Sequence, residues 1–174
     1  CPGYKIVEDR RIRCHKTTGH GAQTFLQAIG NSCNPVFMEV GARVGVDGMF
    51  EEMKRLGVMS KTGIDVPGEA GTIMHKKENV GAVELATMSC GQSFQLSPVR
   101  MLTTVSSIIN GGKSITPHFG VSAESSDGTA MKKFAYEGGS SILSEYKSKQ
   151  ICEALVKVVT YGGGKKAAVD GYVV

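Results

Sequence analysis

Between Thr24 and Asn110 the apolar residues recur at helical spacing, and beyond Gly111-Gly112 the character of the chain changes to short extended runs. A helix is expected from Thr24, with Phe25, Leu26 and Ile29 on one face and Gly30 at its end. Pro35 opens a second, carrying Val36, Phe37, Val40 and Val44; Asp47 caps a third, with Met49, Phe50, Met53 and Leu56 inward and Gly57 just past it. Residues 79–90 and 97–110 read as two more, the latter with Ser97 as N-cap and Pro98 in its first turn. Short extended stretches are expected at Tyr4–Val7 and Arg11–Arg13. Further strands are expected at Ser114–Val121 and Lys132–Tyr136, separated by the turn "ESSDG". Ser144 caps a helix to about Val159, with Ile151, Leu155 and Val158 on one face, and "YGGGKKAAVDGY" is a glycine loop leading to a final strand. Helices, then strands, one helix and a strand make an α+β domain.

The 174 residues, 41% hydrophobic, suffice for one domain with a sizeable core. Twenty basic against 16 acidic residues leave +4, scattered along the chain; with 6% aromatics and no stripe of them, a nucleic-acid platform is excluded. No run approaches the roughly 18 apolar residues that span a bilayer. Cys1 stands where an initiator methionine would, and Gly-Tyr-Val-Val at the end reads as a strand cut short. The chain is therefore expected to be a piece of a larger protein, with any targeting or anchoring segment outside it.

Directly before the second helix stands Ser32-Cys33-Asn34, within "GNSCNPVFMEVG". One capping side chain would suffice there, yet a hydroxyl, a thiol and a carboxamide stand in a row. Around it lie "CPGY", "GHG", "TGIDVPGE", "GQSFQLSPVRM", "NGGKSITP" and "YGGGKKAA". Together and in this order, these segments resemble the transpeptidase domain of class B penicillin-binding proteins of the division and sporulation type, over almost the whole chain.

The resemblance implies the penicillin-binding protein transpeptidase (serine β-lactamase-like) fold. Residues 1–174 would supply its helical subdomain and part of its antiparallel sheet. Such domains carry three motifs, S-x-x-K with the nucleophile, S-x-N and K-T-G. Ser32-Cys33-Asn34 matches the second: Ser32 would relay a proton to or from the nucleophile's lysine and the leaving group, and Asn34 would orient the substrate's amide. Gln92, near the family's glycine-glutamine-glycine turn, would line the substrate cleft; Ser93 replaces that turn's glycine and puts its left-handed geometry in doubt. Lys61-Thr62-Gly63 spells K-T-G but runs into turn chemistry, and Ser144-Glu145-Tyr146-Lys147 spells S-x-x-K on the wrong side of S-x-N, where a helix cap is the better reading. The resemblance places the functional copies upstream of Cys1 and beyond Val174, so this piece alone is expected to be inactive.

Five cysteines cannot all pair internally. Cys14, His20 and Cys33 are candidate zinc ligands, with the fourth from Cys1, a carboxylate or an outside residue. A Cys14–Cys33 disulfide, suited to an extracytoplasmic domain, and free thiols are the alternatives. Cys90 and Cys152 are expected in the core.

The activity implied is acyl transfer between peptidoglycan stem peptides, trapped by β-lactams, needing no cofactor, in a protein held at the outer face of the cytoplasmic membrane. Cell-wall or sporulation assembly proteins are the expected partners. The alternative is a non-catalytic, redox- or zinc-responsive scaffold of such an assembly.

Overall fold

The first helix starts where side chains can satisfy its free amides. In the computed structural model, which describes residues 1–129, 131–136 and 139–174, Thr24 Oγ1 accepts from Gln27 N and Gln27 Oε1 accepts from Thr24 N. This reciprocal cap opens α1 (Phe25–Gly30). The apolar face expected to point inward does not: Phe25 and Leu26 are exposed, and Ala28 and Gly30 are buried. Gly30 explains the rotation, because the Tyr161 ring stands 3.2 Å from where its Cβ would be and Gly163 N donates to Gly30 O. The small side of α1 is the one that fits.

Helix α2 (Asn34–Arg55) merges the second and third expected helices across a break at Gly45, whose φ of 75° suits glycine. A turn of 3₁₀ helix (Lys77–Asn79) precedes α3 (Ala82–Ser89). Helices α2 and α3 meet so closely that a Cβ on Gly41 would strike Ser89 Oγ and lie 2.6 Å from Ser89 Cβ. Gly41→Ala is therefore expected to destabilise the full-length protein by about 1–3 kcal/mol through overpacking. Adding Ser89→Gly should recover more than half of that loss, read as denaturation midpoints.

Strands β1 (Tyr4–Val7) and β2 (Arg10–Arg13) form an antiparallel hairpin with Tyr4 opposite Arg13 and Val7 opposite Arg10. Lys5 Nζ on this hairpin pairs with Glu39 of α2 at 2.5 Å, and the Glu39 carboxyl is held below its usual range by Lys5 and Arg43. Two-residue strands β3 (Ile73–Met74) and β4 (Phe94–Gln95) follow in the chain.

The fold divides into two compact units: Cys1–Glu52, Met74–Phe94 and Lys149–Val174 in one, and Met53–Ile73 and Gln95–Ser148 in the other. In the first, Cys14, Ala28 and Cys33 form a buried cluster with Cys1 and Val36 packed on it. In the second, α4 (Pro98–Ile109) starts at the Ser97 cap as expected. Its polar side turns inward: Thr103, Thr104 and Ser107 are buried, their hydroxyls donating to Val99 O, Leu56 O and Thr103 O.

Ser114–Val121 does not form the expected strand. Three of its amides are taken by side chains rather than by a ladder: Ser107 Oγ accepts from Ile115 N, and the Asp65 carboxylate accepts from Phe119 N and Gly120 N. Those two amides hold the Asp65 carboxyl below its ordinary range. The strands that form are shorter, β5 (Ser122–Glu124) paired antiparallel with β6 (Met131–Lys133). Tyr136, expected at the end of the second strand, sets its hydroxyl 2.8 Å from Gly120 O and 3.1 Å from Asp65 Oδ2.

The Lys61-Thr62-Gly63 segment is a loop, its Thr62 and Gly63 amides held by the Glu69 carboxylate. Ser144 caps α5 (Glu145–Thr160), accepting from Lys147 N. The final strand does not form: Tyr172 N turns back to Val169 O, and among the described residues 172–174 have no neighbouring strand to complete a ladder.

Candidate active site and thiol cluster

Two glycines let distant parts of the N-terminal segment cross. Gly3 and Gly19 have φ of 92° and 84°, and a Cβ on either would strike the other's strand, at Thr17 O and Cys1 O respectively. Across the crossing, Cys14 N donates to Gly3 O, and His20 N and Gly21 N donate to Cys1 O. This knot carries three side chains inward, and the turn between α1 and α2 adds a fourth. The thiol sulfurs of Cys1, Cys14 and Cys33 and a ring nitrogen of His20 all lie within 4.8 Å of one another.

Cys14 and Cys33 are buried and Cys1 is half-buried. Cys14 Sγ is 3.6 Å from His20 Nδ1. Desolvation first, then the neighbouring His15 and Lys16, lower the pKa of His20 and favour the neutral ring, the form that binds metals. All five cysteines are free thiols. Ligand atoms around zinc stand roughly 3.5 Å apart, so a contraction of about 1 Å would close a tetrahedron of three sulfurs and one nitrogen. Among the described residues, Cys1 brings the fourth candidate ligand atom to the cluster.

Cys90, expected in the core, is half-buried beside this cluster. Desolvation, reinforced by Cys14 and Cys33, pushes its thiol up to about 11. It stays protonated and donates to Asn34 O at 3.5 Å, which distinguishes it from the four ligand candidates.

The Ser32-Cys33-Asn34 turn is built by the end of α1. Cys33 N donates to Ala28 O and Ser32 N to Ile29 O, the paired bonds of a Schellman closure. The residue at its left-handed position is Ser32, with φ 47°, where glycine is the ordinary choice. Cys33 O then accepts from Val36 N and Phe37 N, starting α2. Three side chains diverge from this turn. Ser32 is exposed, Cys33 points wholly into the thiol cluster, and Asn34 Nδ2 donates to Arg13 O at 3.2 Å. Neither Ser32 nor Asn34 lines the described cavity of about 500 Å³ bounded by Tyr4, Phe25, Val36 and Val40.

Gln92 is exposed on the turn that follows α3, its amide donating to Thr87 O, and among the described residues no hydrogen bond ties it to Ser32 or Asn34. The turn keeps its left-handed geometry at position 93 without a glycine there: Ser93 has φ 64°, and its hydroxyl lies 2.9 Å from Thr87 Oγ1. Arg13 and Cys90 both hold Asn34; Arg13 has no sequence signal beyond standing next to Cys14, and Cys90 is expected only as a core residue.

Known proteins share this arrangement of elements. The family described as "Penicillin binding protein transpeptidase domain" matches residues 1–174. Stage V sporulation protein D of Bacillus subtilis (strain 168) is 41% identical over 173 residues, 98% of this chain and 26% of that protein. Peptidoglycan D,D-transpeptidase MrdA of Acinetobacter baumannii is 28% identical over 128 residues, 67% of this chain and 19% of that protein. The chain thus spans about a quarter or less of the length of these relatives. The D,D-transpeptidase domain of a peptidoglycan glycosyltransferase from Eggerthella lenta superposes with a TM-score of 0.89 at 20% identity, over 98% of this chain and 45% of that one. Penicillin binding protein 3 of Mycobacterium tuberculosis, complexed with aztreonam, gives 0.88 at 20%, over 98% and 40%. These likenesses give the fold expected from the motifs. The chain belongs to the penicillin-binding protein transpeptidase domain family.

Proposed function

We propose that this chain is part of a serine D,D-transpeptidase that cross-links cell-wall or spore-cortex stem peptides outside the cytoplasm, with its nucleophile and K-T-G strand in flanking polypeptide. A serine Oγ attacks the penultimate D-alanyl carbonyl, the C–N bond breaks, and D-alanine leaves as the amine after taking a proton. The amine of a neighbouring stem then attacks the ester, forming the cross-link and returning the proton to the serine. Ser32 relays the proton, Asn34 orients the substrate's amide, and Gln92 borders the peptide. β-Lactams enter the first step and stall at the ester. Membrane attachment comes from a segment outside these residues, and cell-wall or sporulation assembly proteins are the partners.

The observation that carries this reading is the Ser32 backbone. A serine held at φ 47° with its hydroxyl exposed costs stability that glycine would not, and such strain concentrates where a side chain has work to do. The relatives' names, peptidoglycan D,D-transpeptidase among them, support the same chemistry. Fluorescent penicillin should label the full-length polypeptide covalently and leave residues 1–174 by themselves unlabelled. An unlabelled full-length protein would overturn the proposal in favour of a non-catalytic scaffold.

The thiol cluster supports a structural zinc held by Cys1, Cys14, His20 and Cys33. Three sulfurs and an imidazole around one point suit a closed tetrahedral metal better than a Cys14–Cys33 disulfide, which would leave Cys1 and His20 without a role. A closed site offers no open position for substrate, so the metal would hold the Ser32-Cys33-Asn34 turn from beneath rather than enter the acyl transfer.

A further inference from the structure

We infer that Arg13 binds a free carboxylate on the stem peptide, apart from the reacting D-alanyl-D-alanine, and so selects acidic over amidated stems. This rests on the transpeptidase reading above.

Arg13 closes β2, and its carbonyl accepts from Asn34 Nδ2 at 3.2 Å. That bond fixes the arginine's backbone beside the carboxamide that orients the substrate. The hairpin register decides which way its side chain goes. Tyr4 stands opposite Arg13, Lys5 opposite Ile12 and Ile6 opposite Arg11, and opposed residues share a face. Tyr4, Ile6, Arg11 and Arg13 therefore share one face, and Lys5 and Arg10 lie on the other, where Lys5 pairs with Glu39 of α2. On the first face Ile6 and both arginines are exposed.

The two arginines differ in what they already hold. The Arg11 guanidinium lies over the Tyr4 ring, 3.7 Å from its centroid, and is occupied there. Arg13 is exposed, and among the described residues its guanidinium has no hydrogen-bond or ion-pair partner. A planar fork of N–H donors is matched to a carboxylate, which it grips through two parallel bonds; a carboxamide offers one acceptor and no charge. A substrate whose amide reaches Asn34 lies next to the backbone from which this fork extends. Stem peptides carry carboxylates that cells leave free or convert to amides, and Arg13 discriminates between those forms.

The test is kcat/KM of the full-length enzyme for two synthetic stem pentapeptides, identical except that one side carboxylate is free or amidated. The wild type should prefer the acid by about tenfold, the ratio one charge-assisted contact sustains. Arg13→Gln should bring the ratio near one, and Arg13→Lys should keep part of it. Arg10→Gln, on the opposite face, should leave the wild-type ratio. Fluorescent-penicillin labelling of each variant reports that it has folded. An acid preference that survives Arg13→Gln, or its absence in the wild type, would overturn the assignment. An enzyme that turns over neither peptide and takes no penicillin would instead remove the transpeptidase reading beneath it.

Discussion

Cys14→Ser in the full-length protein is expected to release one equivalent of zinc and to lower the unfolding midpoint by roughly 6–12 °C. A closed structural zinc contributes its binding free energy to folding, and losing one of four ligands removes a large part of it. For a domain of this size each kcal/mol shifts the midpoint by roughly 2–4 °C, so a loss of about 3 kcal/mol accounts for the range. The burial of Cys14 concentrates the effect, since the thiol also belongs to the packed cluster with Ala28 and Cys33. Packing alone does not mimic the result, because serine is nearly isosteric and leaves the metal content as the separate readout. Elemental analysis should find one zinc per chain, and Cys1, Cys14 and Cys33 should resist alkylation until a chelator is added. Metal-free protein whose thiols appear only after reduction would replace the zinc with a disulfide.

Ser32→Gly should separate catalysis from stability. Glycine accepts the φ of 47° freely, so the Schellman closure of α1 stays intact and the folded state should gain up to about 1 kcal/mol. The hydroxyl proposed to relay the proton is gone, and acylation by penicillin should slow by about 10²–10⁴-fold, the usual contribution of a positioned proton-transfer group. Few substitutions are expected to raise stability while removing activity, and a site that holds strain for function is where they occur. Stopped-flow acylation beside a thermal melt reads both quantities on one sample. An acylation rate within twofold of wild type would remove Ser32 from the proton path.

Much of the architecture was legible because local chemistry decided it. Thr24, Ser97 and Ser144 cap helices in the structure as their sequence positions imply, and Gly45 breaks the long helix between Val44 and Asp47. Periodicity failed where side chains replaced the backbone ladder. Nothing local to Ser114–Val121 announces that Asp65, far back in the chain, takes two of its amides. The direction of α1 failed for a similar reason, since the approach of Tyr161 to Gly30 outweighed the burial of Phe25.

At the site, the motif singles out Ser32, Cys33 and Asn34, and clustering near Cys33 singles out Cys14 and His20. Their divergence into an exposed hydroxyl, a buried thiol and a tied carboxamide is not legible there, because it follows from the way α1 closes. The crossing of Gly3 and Gly19, which brings Cys1 to the cluster, is a long-range backbone event that spacing does not encode.

The most direct measurement of the central claim is a crystal structure of the full-length protein acylated by a β-lactam. Ser32 Oγ and Asn34 Nδ2 should both lie within about 3.2 Å of polar atoms of the adduct or its serine ester, the ordinary reach of a hydrogen bond. An adduct seated elsewhere, with both side chains more than about 6 Å away and no bridging water, would contradict it.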